Sequence, residues 1–114
     1  MVTPSEGSVV LVPFPFSNLS HSKVRPAVVL ADATNGDWIL CQVTSKLYTE
    51  SHALELTDAS FAQGSLHRVS YARPNKLFTA NQSLVIKQVG VLKDVILKQV
   101  VEAVVELLRK SIKP

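Results

Sequence analysis

Residues 24–43 read VRPAVVLADATNGDWILCQV, in which two apolar runs flank Asn35-Gly36. An Asn-Gly pair between apolar runs is a strong hairpin signal, because both residues tolerate a positive φ. We therefore predict antiparallel strands over 24–31 and 37–43, with residues 27–33 opposite residues 38–44. This register places Arg25 and Thr44 near the same open end of the hairpin.

Shorter β-prone segments surround this hairpin. Residues 7–12 (GSVVLV) predict a strand that ends at Pro13 and Pro15, since proline removes a ladder donor. The polar segment 17–23 predicts a surface loop, and further short strands are predicted at 52–56, 66–72 and 83–91. Short strands at this spacing favour a small, predominantly antiparallel barrel or sandwich over βαβ units.

The C-terminal part of the chain changes to a helical period. Asp94 is placed to cap the N-terminus of this helix, and the many β-branched residues make the helix dependent on packing against the sheet. The predicted fold class is therefore mainly β (α+β), a small antiparallel β-barrel with a C-terminal amphipathic helix. Apolar residues recur in the helix at steps of three and four at Leu97, Val100, Val101, Val104, Leu107 and Leu108.

Composition bounds the class of protein. The chain has 114 residues, of which 46% are hydrophobic and 18% charged, so it can bury a core and does not fit the profile of disorder. We predict a single domain over 1–114. Cys41 is the sole cysteine, which excludes an intrachain disulfide and fits the reducing cytoplasm. Neither an export signal nor a membrane span is indicated, so no membrane partner is expected.

The charge is mildly basic and unevenly distributed. Twelve Lys and Arg against nine Asp and Glu give a net charge of +3, which is compatible with a polyanionic partner. Between Asp58 and Asp94 there is no acidic residue, and two interpretations stay open for the cations of this stretch: a phosphate-facing patch, or solvated side chains on alternating strand faces. These cations are Arg68, Arg73, Lys76, Lys87 and Lys93.

Few residue patterns in the chain point to chemistry. The three histidines do not fall at metal-ligand spacings, and glycine-rich phosphate loops and nucleophile elbows are absent, so neither a metal nor a nucleotide cofactor is expected. What remains is Arg25, followed by Pro26, and the hydroxyl pair Thr44-Ser45. A guanidinium offers a planar fork for phosphate oxygens, and a neighbouring hydroxyl adds a donor. The alternative is structural: Arg25 pairs with a carboxylate and Thr44 caps a turn.

Five segments carry a family resemblance: GSVVLVPFPF, KVRPAVVL, CQVTS, SYARPNKLFTAN and VGVLKDVILKQVVEAV. In order, and across nearly the whole chain, they resemble the PemK/MazF family of toxins from bacterial toxin-antitoxin pairs. The resemblance implies an SH3-like small barrel and a homodimer. It also implies metal- and ribosome-independent cleavage of single-stranded RNA at short sequences, without a cofactor, and inhibition by a cognate antitoxin protein.

The resemblance also implies a catalytic site. Arg25 matches the family's catalytic arginine and Thr44 its catalytic threonine, with Ser45 beside it in the same motif. In the implied reaction the ribose 2′-hydroxyl attacks the adjacent phosphorus, expels the 5′-oxygen and leaves a 2′,3′-cyclic phosphate. Arginine stays protonated, so Arg25 is expected to stabilise charge or protonate the leaving oxygen, and Thr44 to donate to a non-bridging oxygen. The sequence identifies no general base.

Two further elements of the family pattern bear on RNA binding. The 17–23 loop is similar to the family's variable loop between the first two strands, which implies that His21 and Lys23 contact RNA; the alternative is a solvated loop. Arg73 and Lys76 belong to the RPxKL element, which the resemblance places near the groove and the dimer interface. The alternative for these two cations is plain surface charge.

The chain departs from the family pattern at one position. The family commonly has an aspartate after the glycine of the first strand, where this chain has Ser8, and this change is expected to loosen the support of the site. Two rival functions stay open: a poison of DNA gyrase, as the related CcdB toxins are, and a catalytically silent barrel that binds nucleic acid or protein. The Arg25 and Thr44-Ser45 motif argues against the gyrase poison, which needs no phosphodiester-cleaving residues.

Overall fold

The computed structural model of the protein describes residues 3–14, 23–46 and 52–112, which contain seven strands, one α-helix and two short 3-10 turns. The strands are β1 (Ser8–Phe14), β2 (Lys23–Asp32), β3 (Asp37–Thr44), β4 (Leu54–Leu56), β5 (Phe61–Gly64), β6 (Ser70–Asn81) and β7 (Lys87–Leu92). The helix α1 is Asp94–Lys110, and the 3-10 turns are Asp58–Ser60 and Gln82–Leu84.

All seven described strands form one sheet in the order β4-β6-β3-β2-β1-β7-β5. Every neighbouring pair of these strands is antiparallel, and the sheet curls into a half-barrel. The helix α1 follows the last strand in the chain. The predicted fold class is therefore confirmed. The hairpin β2–β3 lies in the middle of the sheet, so it is supported on both sides.

The hairpin forms where Asn35-Gly36 predicts it, but its register differs from the predicted one. Thr34, Asn35 and Gly36 all have positive φ, at 73°, 56° and 80°, so the loop has three left-handed residues instead of two. A β-bulge between Val29 and Ala31 shifts the pairing by one more residue. Ala27 consequently pairs with Gln42 instead of Thr44.

The sheet buries apolar side chains on both faces, which explains the continuous apolar runs of the central strands. In β2, for example, the consecutive residues Ala27, Val28 and Val29 are all fully buried. One face packs with the helix residue Val100 around Val9, Val28, Cys41, Val43, Leu56 and Ala72. The other face forms a second buried cluster of Val10, Val12, Phe14, Ala27, Val29, Trp38 and Leu40.

Several predicted strand limits are wrong, because tertiary pairing overrides the local signals. Strand β1 continues through Pro13 to Phe14, with Pro13 opposite Val24. The strand predicted at 66–72 begins only at Ser70 and runs on to Asn81 as β6. The edge strand β5 was not predicted; its sequence FAQG is short and has no alternating apolar pattern, and it exists because it pairs with β7.

The helix α1 agrees with its apolar period but not with its predicted cap. The residue at the N-cap position is Lys93, whose side chain makes no capping hydrogen bond, and Asp94 lies in the first turn. There its carboxylate suits the positive end of the helix dipole. Val100 is fully buried, whereas Val101 and Leu108 of the predicted apolar face are exposed. Among the helices that the structure describes, none is long and apolar enough to cross a membrane.

Candidate active site

The fold brings Arg25 and Thr44 to neighbouring positions on adjacent central strands. Arg25 lies in β2 opposite Val12 of β1 and is half-buried. The β2–β3 pairing ends at Ala27 and Gln42, and the same register extended by two residues sets Arg25 opposite Thr44. Their placement at one end of the hairpin follows the sequence prediction, even though the register nearer the turn differs.

The two residues line one open cleft of about 240 Å³. Its described lining contains two guanidinium side chains and three hydroxyl side chains, and no carboxylate. Such a surface suits an anion, because it offers charged and neutral donors without a competing negative charge. The lining residues are Val24, Arg25, Pro26, Val43, Thr44, Ser45, Leu66, Arg68 and Ser70.

The Thr44 hydroxyl is held in a fixed position. The residue is the last of β3 and is only 4% exposed. Its Oγ1 accepts a hydrogen bond from the backbone N–H of Lys46 at 3.1 Å. A hydroxyl has two lone pairs and one O–H, so this contact leaves the O–H free to donate. The turn-capping role foreseen for Thr44 is therefore present, and it is compatible with donation to a phosphate oxygen.

Among the described residues that line its cleft, Arg25 has no carboxylate with which to form the alternative structural pair. The strand fixes its backbone, and partial burial limits the solvent around its side chain. Ser45, the third predicted catalytic residue, lies just beyond the end of β3 and is exposed, so it has more freedom than Thr44.

Three of the four predicted RNA-contacting residues, Lys23, Arg73 and Lys76, fall outside the described lining of this cleft. His21 lies outside the described residues, and Lys23 is the exposed first residue of β2. Arg73 and Lys76 lie in β6 within the register shift between Ala72 and Leu77, where residues 73–76 stand opposite Gln42 of β3. Arg73 donates from a guanidinium nitrogen to Gln42 Oε1 at 3.4 Å. Lys76 is exposed.

Ser8 supports a different part of the fold from the cleft. It is fully buried, its Oγ accepts a hydrogen bond from the Ser5 backbone N–H at 3.2 Å, and its own N–H donates to the Ser5 carbonyl. Four residues of extended strand, about 13 Å, separate it from Val12, the partner of Arg25. Ser8 therefore holds the turn before β1, and the expectation that it loosens the support of the site stays a prediction.

Sequence reasoning missed two polar members of the cleft, Arg68 and Ser70. Arg68 lies in the connection that leads into β6 and Ser70 is the first residue of that strand, and both are remote from the hairpin in the chain. The only sequence signal was the presence of Arg68 in the stretch without acidic residues. Their proximity to Arg25 arises because β6 pairs with β3, with Tyr71 opposite Thr44.

Cys41 lies in the core beneath the site and is not a candidate nucleophile. Burial raises the pKa of its thiol to about 12, and the Sγ donates to the Arg73 carbonyl oxygen at 3.0 Å. A protonated, inaccessible thiol is a poor nucleophile and a poor metal ligand. Among the described residues, no group of three or more His, Cys, Asp or Glu side chains is placed to hold a metal ion.

Comparison with known proteins identifies one family and one fold. A family model described as PemK-like, MazF-like toxin of type II toxin-antitoxin system matches residues 5–108. No curated protein matches the chain closely enough in sequence to count as a relative.

Several solved structures share the fold at low identity. MazE-MazF from Deinococcus radiodurans is 21% identical, with a TM-score of 0.74 over 97% of this chain and 100% of that one. An endoribonuclease in complex with its cognate antitoxin from a mycobacterial species is 10% identical, with a TM-score of 0.70 and full coverage of both chains. A mycobacterial endoribonuclease is 12% identical, with a TM-score of 0.71 over 96% of this chain and 94% of that one. At these identities the likeness shows the fold.

Proposed function

Because the chain belongs to the family of PemK-like, MazF-like toxins of type II toxin-antitoxin systems, we propose that it is a cytoplasmic endoribonuclease toxin. It cuts single-stranded RNA at specific sequences, without a metal ion and without the ribosome, and so stops growth. The observation that carries this proposal is the convergence of Arg25 and Thr44 on one cleft whose described lining holds no carboxylate.

The reaction uses a nucleophile that the RNA itself provides. The ribose 2′-oxygen forms a bond to the adjacent phosphorus as its proton passes to water, the bond from phosphorus to the 5′-oxygen breaks, and the 5′-oxygen takes up a proton from water. The products are a 2′,3′-cyclic phosphate and a 5′-hydroxyl. Negative charge builds up on the non-bridging and leaving oxygens, so donors aimed at those atoms lower the barrier.

Arg25 and Thr44 divide this task. The guanidinium of Arg25 remains protonated, and its fork binds the non-bridging oxygens and donates a hydrogen bond to the leaving oxygen. The free O–H of Thr44, oriented by the Lys46 N–H, donates to a non-bridging oxygen. The described lining offers neither a carboxylate nor an imidazole as a base, so charge stabilisation carries the rate.

The first test compares wild type with Arg25→Ala on a long single-stranded RNA in excess EDTA, with the new ends mapped by sequencing. We expect discrete cuts ending in cyclic phosphate with the wild type, and a loss of about 10² to 10³ in rate with the variant, as for removal of one oxyanion donor. Arg109→Ala is a matched control, because it removes an exposed arginine on α1 outside the described cleft lining.

The outcomes of this test separate the candidate functions. Cuts that need added metal would contradict the metal-independent reaction. Intact RNA with every protein would contradict the endoribonuclease, and a supercoiling assay with DNA gyrase would then test the gyrase-poison alternative. If the circular dichroism spectrum of Arg25→Ala matches that of the wild type, unfolding of the variant is excluded as the cause of lost activity.

The cations outside the cleft are proposed to extend the RNA contact. Lys23 precedes Arg25 by two residues on β2 and so lies on the same side of the strand. Arg73 is linked to the site through Gln42, which lies two residues before Thr44 on β3. Together with Lys76 and His21 they would bind phosphates or bases flanking the cut. Charge-removing substitutions here should weaken RNA binding more than they slow the chemical step.

A protein antitoxin and a second copy of the chain are the proposed partners. The described surface exposes several large apolar side chains, including Ile86, Val95, Leu108 and Ile112. Apolar surface of this kind is usual where proteins are covered by partners. One similar structure contains a mycobacterial endoribonuclease with its cognate antitoxin. Light scattering should give twice the chain mass of 12.4 kDa, and a protein encoded next to this gene should co-purify with the chain and suppress cleavage.

A further inference from the structure

Arg68 lies between two neighbouring clefts and contributes to the lining of both. It lines the cleft of Arg25 and Thr44, and it also lines a neighbouring cleft of about 340 Å³ that contains Asp58 and His67. Its side chain is exposed. A guanidinium at this place adds a second positive charge to the rim of the proposed active site.

The backbone that carries Arg68 is fixed from both sides. On one side His67 has a positive φ of 61°, and its N–H donates to Ser65 Oγ at 2.8 Å. Ser65 Oγ in turn donates to Asp58 Oδ1. On the other side Ser70 Oγ donates to the carbonyl oxygen of Arg68 at 3.3 Å. These contacts hold the start of the Arg68 side chain at the mouth of the cleft.

The charges around Arg68 leave it available to an anion. The nearest described carboxylate in the neighbouring cleft, that of Asp58, accepts the hydrogen bond from Ser65. Within the described part of the chain no ion pair joins Arg68 to an acidic residue, and the lining it shares with Arg25 contains none. Two guanidiniums therefore line one open cleft, which suits neighbouring phosphates of one strand.

We propose that Arg68 binds a phosphate of the RNA next to the one that is cleaved, and that it acts as a positioning residue. This inference rests on the proposed function. Arg25 is half-buried in a strand, whereas Arg68 is exposed on a loop. An exposed and hydrated side chain contributes mainly to ground-state binding. Its removal therefore raises KM and leaves kcat nearly unchanged.

The experiment measures kcat and KM of wild type, Arg68→Ala, Arg68→Lys and the control Arg109→Ala on a fluorogenic single-stranded RNA. Arg109 is an exposed arginine on α1 outside this cleft. For Arg68→Ala we expect KM to rise about tenfold, the effect of one charge-assisted hydrogen bond, with kcat within a few-fold of the wild-type value. Arg68→Lys retains the charge and should recover most of the loss, while Arg109→Ala should behave as wild type.

The salt dependence provides a second readout that a merely structural role would not move. With a 2′-deoxy analogue that cannot be cleaved, fluorescence anisotropy gives Kd at a series of salt concentrations. Loss of one phosphate contact on a single strand should reduce the slope of log Kd against log salt by about 0.7. The loss should also be similar for different RNA sequences, since phosphate contacts carry no base information.

Each outcome decides the proposal. An unchanged KM and salt slope in Arg68→Ala, with an active wild type, would overturn the role of Arg68 and leave the endoribonuclease intact. A fall in kcat with unchanged KM would also overturn it, because Arg68 would then act in the transition state. A wild type that neither binds nor cuts RNA would remove the proposed function and this inference together. Unfolding curves matching the wild type exclude a fold defect.

Discussion

Replacing Thr44 by valine removes one hydroxyl from the cleft and keeps the branched shape of the side chain. The hydroxyl makes one described contact, the hydrogen bond that Oγ1 accepts from the Lys46 N–H at 3.1 Å. Since Lys46 is exposed, water can replace this acceptor in the variant. The loss in the free energy of unfolding should therefore be no more than about 0.5 to 1.5 kcal/mol, the net value of one hydrogen bond.

The expected loss in rate is larger than the loss in stability. If the O–H of Thr44 stabilises the developing negative charge, its removal should lower kcat by about 10² to 10³, or about 2.7 to 4 kcal/mol. A small domain has about 5 to 15 kcal/mol of stability, so a loss of about 1 kcal/mol leaves nearly all of the Thr44→Val protein folded. Partial unfolding cannot account for such a fall in kcat.

The assay is single-turnover cleavage of a short RNA by wild type, Thr44→Val and Thr44→Ser, with thermal unfolding of each. Thr44→Ser keeps the hydroxyl and loses one methyl group, which costs about 0.8 kcal/mol of stability, and it should retain most of the activity. A valine variant that cuts within a few-fold of the wild-type rate would refute the role of the hydroxyl. A serine variant as inactive as the valine variant would assign the loss to packing instead.

Two further predictions concern the fold around the site. Gly64→Ala should lower the melting temperature, because Gly64 has a φ of +69° and a Cβ would lie 2.2 Å from the Val89 carbonyl oxygen; the left-handed conformation alone costs about 1 to 2 kcal/mol. Gln63→Ala, in the same strand and exposed, is the control, and equal melting temperatures would contradict the argument. Cys41 should not react with a thiol reagent at pH 8 until the protein unfolds, because burial raises the pKa of its thiol from 9.0 to about 12. Between about pH 9 and 12 the folded protein keeps the thiol proton that the unfolded chain loses. The thiol therefore leaves the free energy of unfolding unchanged below pH 9 and lowers it progressively between about pH 9 and 12. The slope is about 1.4 kcal/mol per pH unit, and Cys41→Ala should lack that part of the alkaline loss.

Features with a local cause could be predicted from the sequence. The turn at Asn35-Gly36 forms because residues that tolerate positive φ separate two apolar runs. The helix α1 follows from its period of three and four residues, and Val100 becomes its buried anchor. The proximity of Arg25 and Thr44 could also be predicted, since both residues belong to the same hairpin.

Features that depend on pairing between remote segments could not be predicted. The edge strand β5 has four residues and no periodic signal of its own, and it forms by pairing with β7, where Gly64 lies close to Gly90. The register of β2 and β3 was misjudged because a bulge near Val29 leaves no local signature in an apolar run.

The sequence alone determined the chemical groups of the site: a guanidinium at Arg25, a hydroxyl at Thr44, and the hairpin that holds both. Only the tertiary structure decided which other groups join them. Arg68 and Ser70 reach the cleft because β6 pairs with β3, and this pairing is stabilised by burial of apolar residues on both faces of the sheet. Burial of apolar surface is non-directional, so no short stretch of sequence specifies which distant loop it brings to the site.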